Sequence, residues 1–282
     1  MNSFAIISTA RKEIFMDDVI RNTDRIFYKH EISENLFKNT YSMHTHNTYE
    51  CIFFIEGDAA HVIEDRKYEL SPGDLILIRP FQYHLIQINS PTRYERYDIL
   101  FDAKKHGVES VLALPEEAEV LHLAGNGIVE DLFHKCDLYR KSSDPETFEK
   151  ILSHLLSELF YLIPLLPKQV SQNRETLSPL ISKALRYMNE HLCTLSGIRE
   201  IADALFVSES YLFRLFQKEL HQTPKKYVLE KRLLLAQQML QAKKRPSDVS
   251  EACGFSDYSS FYRNYRSFFG IAPSQNQKGD RQ

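Results

Sequence analysis

Between Ile198 and Pro273 the chain writes one pattern twice. The first copy is IREIADALFVSESYLFRLFQKELHQTP, Ile198 to Pro224, and the second is SDVSEACGFSDYSSFYRNYRSFFGIAP, Ser247 to Pro273. Ile201 aligns with Val249, Ser208 with Ser256, Arg214 with Arg263 and Pro224 with Pro273. Internal self-similarity outranks local propensity as a guide to architecture, and two units are too few for a solenoid, so a paired module is expected. In the first copy Ile201, Ala202 and Leu205 give the apolar stripe of a short helix. Ser208 and Ser256 stand where a hydroxyl would accept the orphan N–H groups of a following helix. Beyond them Leu212, Leu215 and Phe216, or Phe261, Tyr265, Phe268 and Phe269, recur at helical spacing and face a core. Each copy therefore reads as a helix-turn-helix, and the helix from Pro224 to about Lys243 is expected to yoke them.

What faces outward on the second helices is polar, aromatic and basic. The first set is Ser208, Glu209, Ser210, Tyr211, Arg214 and Lys218, continued by Lys225 and Lys226; the second is Asp257, Tyr258, Ser259, Tyr262, Arg263 and Arg266. A helix lying in the major groove reads base edges from its N-terminal turns while basic side chains hold phosphates. One such copy is equally well an ordinary helical bundle with a solvated basic face. Two matched copies in tandem favour DNA. Charge partitions accordingly: from Ser178 onward Lys and Arg outnumber Asp and Glu by 16 to 10, leaving 19 against 28 in the preceding residues. A basic C-terminal part joined to an acidic N-terminal part is expected where only the former meets nucleic acid. The whole-chain net charge of −3 conceals this.

These residues resemble the DNA-binding domain of the AraC/XylS family of bacterial transcription regulators. The resemblance rests on Ile201-Ala202, Ser208, Tyr211-Leu212, Arg214-Leu215-Phe216, Pro224, Arg232, Ala236, Leu240, Gly254-Phe255-Ser256-Asp257, Phe261, Arg263, Tyr265, Gly270 and Pro273. It covers about the last hundred residues. The chain departs from the family pattern at Asn264, where an apolar residue is usual, and at Asn276-Gln277, where an aromatic-Arg pair is usual. The resemblance implies a DNA-binding regulator with an N-terminal sensor domain, a small-molecule effector, a homodimer, and RNA polymerase as a partner if the protein activates.

From Tyr41 to Leu100 the pattern is β. Short apolar runs (Tyr49–Ile55, Ala60–Ile63, Leu75–Ile78, His84–Ile88, Tyr94–Phe101) are punctuated by Gly57-Asp58 and Ser71-Pro72-Gly73-Asp74, as in a barrel or jelly roll. A first strand is expected near Arg25 to Lys29. His44-x-His46-x3-Glu50-x6-Gly57 matches the first cupin motif, and Pro72-Gly73-Asp74 with His84 resembles the second. Residues two apart on a strand face the same way, so His44 and His46 can converge with Glu50 and His84 as a three-His, one-carboxylate metal site. The alternatives are a polar interior bonded to itself and a pocket for an organic effector. Tyr41, His44, His46, Glu50, Arg79, Tyr83 and His84 would line that pocket, binding a sugar or related polar metabolite. The family resemblance implies an effector bound without metal.

Ile128 to Lys141 and Pro145 to about Ile163 read as helices, with Asp144 as cap and Pro145 at a favoured first position. The second carries Phe148, Ile151, Leu152, Leu155, Leu156, Leu159 and Leu162, a stripe that serves either to cover the barrel or as a dimer interface; its breadth favours the interface. Lys168 to Leu177 is polar and unperiodic, a linker. The expected architecture is α+β. It comprises a cupin-like barrel with packing helices over 1–167, a linker over 168–177, and an all-α domain of two helix-turn-helix units joined by a long helix over 178–282. Four scattered cysteines without a CxxC pair and the absence of a signal-like or membrane-spanning apolar run point to the cytoplasm. A cupin metalloenzyme with an accessory DNA-binding domain is the competing reading; a regulator without enzymatic activity is favoured.

Overall fold

The computed structural model describes residues 25–34, 43–115, 118–166 and 174–275. Two compact units divide between Glu175 and Thr176. That division falls inside the expected linker, of which residues 168–173 lie outside the described part.

The N-terminal unit is built on two sheets. Strands β1 (Phe27–Ser33), β2 (Tyr49–Glu56), β5 (Asp74–Ile78), β7 (Tyr94–Phe101) and β8 (Val120–His122) form one, in the order β1-β7-β2-β5-β8. The other comprises β3 (Ala59–Ile63), β4 (Arg66–Glu69), β6 (His84–Ile88) and β9 (Arg174–Thr176), in the order β6-β3-β4-β9. Strands β8 and β9 were not legible beforehand, since three residues are too few to show a period. Between β4 and β5 the Ser71–Asp74 turn closes on itself: Ser71 N–H donates to Asp74 Oδ2 (2.8 Å) and Asp74 N–H to Ser71 O (3.0 Å). Gly73 is required there, because its φ is +88° and a Cβ would lie 2.5 Å from Ala124 Cα.

Strand parity assigns the two faces of the larger sheet. Cys51, Phe53, Leu75, Leu77, Tyr97, Ile99 and Phe101 pack against helix α1 (Gly127–Ser142) and helix α2 (Pro145–Leu162). Phe53 stacks on Phe133 of α1 at 4.5 Å between centroids and 6° between planes. Ile52, Phe54, Ile76, Ile78 and Tyr94 face the other way, meeting Ala59, Ile63, Ile86 and Ile88 of the second sheet. The caps fall where the sequence sets them. Asn126 accepts from Val129 N–H at α1, and Asp144 accepts from Glu146 and Thr147 N–H at α2.

The apolar stripe of α2 does not stay free for a second subunit. Phe148, Leu152, Leu156, Leu159 and Phe160 are buried against the sheet, with Leu155 and Leu162 partly buried. Its breadth follows from packing against the sheet alongside α1 and against the 3-10 turn Glu109–Ala113.

In the C-terminal unit helix α3 (Pro179–Glu190), capped by Ser178, precedes two helix pairs: α4 (Ile198–Ala204) with α5 (Glu209–Leu220), and α7 (Pro246–Ala252) with α8 (Tyr258–Phe269). Helix α6 (Pro224–Gln241) lies between the pairs in sequence and is about 27 Å long. Both pairs pack on it, so it is buried round its circumference (Tyr227, Val228, Glu230, Leu233, Leu234, Ala236, Gln237 and Leu240) rather than along one stripe. Phe216 of α5 meets Tyr227 edge-on, and Phe261 and Tyr265 of α8 join Leu233, Ala236 and Leu240.

The pairs differ in one respect that alignment at Ser208 and Ser256 conceals. The second turn holds one more residue, so the cap of α8 is Asp257: its Oδ1 accepts from Ser260 N–H at 2.7 Å, while Ser256 only contacts Asp257. Asn264 turns back to donate to Ser260 O (2.8 Å), a use open to an amide and not to the apolar residue usual there. Asn276-Gln277 lie outside the described residues.

Arg232 of α6 ties the segment ahead of the first pair to the turn of the second. Its Nε donates to Leu192 O (2.8 Å), one terminal nitrogen to Leu195 O (2.6 Å) and the other to Gly254 O (2.8 Å). Leu192 and Leu195 precede the first pair, whereas Gly254 lies in the turn of the second. Gly254 has φ +78°, and a Cβ on it would stand 2.3 Å from Cys193 O. Among the described residues no helix is long and apolar enough to cross a membrane.

Two stability predictions follow from these contacts. Arg232→Met keeps the aliphatic stem but strands three carbonyls; we expect a loss of roughly 3 kcal/mol, read as a lower melting temperature, and an unchanged one would remove Arg232 from this role. Gly254→Ala is expected to destabilise by more than the ~1 kcal/mol of left-handed backbone alone, because the methyl also meets backbone; chemical denaturation monitored by far-UV circular dichroism measures it.

Candidate functional site

The outward surfaces of α5 and α8 are set by their caps and cores. Ser208 Oγ accepts from Tyr211 N–H (3.2 Å), and Leu212, Phe216 and Leu220 are buried. Ser208, Glu209, Ser210, Tyr211, Arg214 and Lys218 consequently face solvent, and Leu215 is half-buried. Lys225 and Lys226 are exposed on the first turn of α6, whose cap Thr223 accepts from Lys226 N–H. On α8, burial of Phe261 and Tyr265 leaves Tyr258, Ser259, Arg263 and Arg266 exposed and Tyr262 half-buried. Asp257 is exposed too, with one oxygen committed to capping. Arg214, Lys218, Lys225, Arg263 and Arg266 make no ion pair with the described residues, so their charge is available to a polyanion. Sequence reasoning did not single out Phe206 and Phe213, 96% and 48% exposed on the same helix pair.

A second constellation occupies the space between the two sheets. The segment carrying His44 and His46 is tied to the start of β6 by paired backbone bonds: His44 N–H to His84 O (3.0 Å) and His84 N–H to His44 O (2.9 Å). Phe81 N–H donates to His46 O (2.8 Å). Glu50 enters from β2, on the same face as Ile52 and Phe54. His44, His46, Glu50 and His84 thereby offer one ligand atom each, all within 4.8 Å of one another; the last three are buried and His44 is half-buried.

The ring orientations are fixed from behind. His46 Nδ1 lies 3.0 Å from Thr48 O and His84 Nδ1 lies 3.0 Å from Gln82 O, so each ring donates there and turns Nε2 inward. Both Nε2 atoms lie 2.9 Å from the same oxygen, Glu50 Oε2. Burial pushes the Glu50 carboxyl up, but His84 and His46 outweigh it and hold the group well below the usual carboxylate range.

Three interior groups escaped the sequence reading. His61 of β3 is wholly buried, stacked on His84 at 5.9 Å between centroids and 17° between planes, and neither ring nitrogen makes a well-formed hydrogen bond among the described residues. Burial, with His84 alongside, pushes it down to about 3, so it stays neutral. Arg96 and Asp98 of β7 point inward with Tyr94, 3.1 Å apart, and Arg96 also reaches Glu31 of β1 at 3.4 Å. Burial and the neighbouring Glu50 raise Asp98 well above its ordinary value. Strand parity could have found them, since Arg96 and Asp98 alternate with Tyr97 and Ile99 in an otherwise apolar run.

The expected pocket residues separate. His44, His46, Glu50 and His84 come together; Tyr83, the chain neighbour of His84, is fully buried with its N–H bonded to Glu64. Arg79 does not join them; it lies beyond the end of β5, donating to Pro115 O with its charge near Tyr49, which stacks on Phe101 on the helix-covered side of the sheet. Tyr41 lies outside the described residues.

Comparison with known proteins agrees with both halves. Residues 32–191 match the AraC-like ligand binding domain and residues 201–279 match the helix-turn-helix domain. The probable transcriptional regulator LumQ of Photobacterium leiognathi is 36% identical over 92 residues, 32% of this chain and 37% of LumQ. The transcriptional regulator GbdR of Pseudomonas aeruginosa is 35% identical over 105 residues, 37% of this chain and 29% of GbdR. These matches thus span about a third of those relatives' own length. The transcriptional activator RhaR of Escherichia coli is 23% identical over 255 residues, 86% of this chain and 89% of RhaR. Among solved structures, ToxT of Vibrio cholerae is 12% identical over 90% of this chain and 98% of its own, with a TM-score of 0.37. With a ligand-binding domain over more than half its length and paired helix-turn-helix units behind it, the chain belongs to the AraC family of DNA-binding transcriptional regulators.

Proposed function

We propose that this chain acts in the cytoplasm, without enzymatic activity, as a ligand-responsive regulator that grips two successive major grooves through α5 and α8. The observation that carries the reading is the pair of matched arginines, Arg214 and Arg263, both exposed and both one turn into a capped helix whose opposite face is buried on α6. Tyr211 and Tyr258, Ser210 and Ser259 stand beside them to meet base edges or sugar-phosphate, and Lys218, Lys225, Lys226 and Arg266 supply further cationic contacts.

The effector is a small polar molecule, a sugar or related metabolite, taken up by the polar interior of the barrel at His44, His46, Glu50 and His84. Its binding shifts the population between arrangements that differ in affinity for promoter DNA. The protein works as a homodimer and, where it activates, through RNA polymerase. The dimer surface would draw on apolar residues outside the buried stripe of α2, of which Leu138 of α1, Tyr161 of α2 and Leu165 just past it are exposed.

Nuclease footprinting of the full chain on its own promoter region tests the paired grip. Protection of two neighbouring major-groove segments per subunit is expected, and a single short footprint would count against it. Affinity should fall steeply with salt. Arg214→Ala and Arg263→Ala should each weaken binding and, where phosphate is the contact, flatten the salt slope by about one unit. Gel-shift titrations over a salt series measure both, and a variant pair indistinguishable from the parent would remove these residues from the interface.

A further inference from the structure

Within the barrel the geometry points to a site for one first-row transition-metal dication, held by His44, His46, Glu50 and His84. It reassigns the four side chains given above to the effector, which would then meet the ion rather than those groups directly, and it does not depend on the DNA interface.

Hydrogen bonding alone leaves the cluster incompletely explained. With Nδ1 donating to a carbonyl, a neutral imidazole presents a bare lone pair at Nε2. His46 and His84 both turn Nε2 to one carboxylate oxygen at 2.9 Å, and only His46 meets it with the geometry of a hydrogen bond. Three electron-rich atoms facing one point repel unless a proton or a cation stands among them. For His84 the 2.9 Å approach lacks the alignment of a hydrogen bond: Nε2 points beside Glu50 Oε2 rather than at it, as it would toward a shared centre. Carbonyls that hold the outer ring nitrogen are also the usual support of metal-bound histidine, fixing tautomer and ring plane.

The spacing fits an ion. Bonds of about 2.0–2.2 Å place ligand atoms roughly 3.0 to 4.4 Å apart around one metal. The widest separation allowed by the cluster, 4.8 Å, closes to that range with a small rotation of an imidazole. Three imidazoles and one carboxylate suit zinc, iron, cobalt or nickel rather than calcium or magnesium, which take oxygen ligands.

The placement says what the ion would do. Glu50 belongs to the larger sheet, His84 to the smaller, and His44 and His46 to the segment leading into β2. One ion would therefore join both sheets and pin that segment across them. With His46, Glu50 and His84 buried, solvent access is confined to the side of half-buried His44, which favours a structural or ligand-anchoring centre over a turnover site.

The test uses the full chain, stripped with chelator and titrated with Co(II). We expect one equivalent to bind with a visible d–d band, Zn(II) to displace it, and the melting temperature to rise on loading. Glu50→Gln and His84→Gln should each weaken binding at least about 100-fold, beyond the loss usual for an outer-shell change. Replacing the exposed His134 and His154 with Ala should change nothing. Circular dichroism and DNA binding of the variants separate a lost ligand from a lost fold. A stripped wild-type chain that gives no band and retains no metal on dialysis overturns the proposal, as does binding that survives in both ligand variants. Either result leaves the footprint untouched, so this site and the regulatory reading stand or fall separately.

Discussion

The helical half depends on where one guanidinium goes. Arg232 donates at once to two backbone carbonyls of the segment that leads into the first helix pair and to one in the turn of the second. A planar fork serves three differently directed acceptors in a way that a lysine ammonium on a flexible stem does not. Burial lowers its pKa, yet the group stays charged, and charged donors make the stronger hydrogen bonds. Together with the all-round burial of α6, this converts two small helix pairs, each too small for a core of its own, into one body with a fixed relation between its outward helices.

The barrel half is organised by a division between faces. The larger sheet gives one side wholly to apolar packing with α1 and α2, and the other side to a mixed interior. Apolar side chains fill part of that interior, while histidines and acids occupy the part near β6, β7 and the start of β2. Charge placed there is costly unless partnered, and the partners exist: Arg96 for Asp98 and Glu31, the imidazoles for Glu50. Polarity concentrated in one place inside an otherwise dry sandwich is what a recognition site requires, and stability alone does not call for it.

Much of this was readable in the residues, and the reasons differ by element. Helices announced themselves through caps and prolines: Asp144, Ser178, Ser208 and Pro224 all stand where the chain turns into helix. Strands β2, β3, β5, β6 and β7 showed as apolar runs between Gly and Pro signals, whereas β4, Arg-Lys-Tyr-Glu, carries no such run. Pairing by sequence offset failed at Ser256, because a single inserted residue moves the cap to Asp257 while leaving every helical period intact. The breadth of the α2 stripe suggested a partner because sequence carries no measure of how much sheet a helix must cover. Arg79 was grouped with the pocket from proximity along the chain, although its position past β5 directs it elsewhere. His61 was hidden by a strand buried on both faces, where inside and outside look alike, whereas Arg96 and Asp98 were open to a parity argument along β7.

The two turns of the duplicated module carry unequal freedom to change. At matching places the backbone takes the same left-handed excursion, at Phe206 with φ 57° in the first pair and at Gly254 in the second. The first site projects into open solvent, so a bulky ring is tolerated at the cost of local strain; the second is wedged against Cys193 and Arg232, so nothing larger than hydrogen fits. Sequence drift between descendants of this module should therefore collect at the earlier turn, which can acquire new surface chemistry while its twin remains frozen.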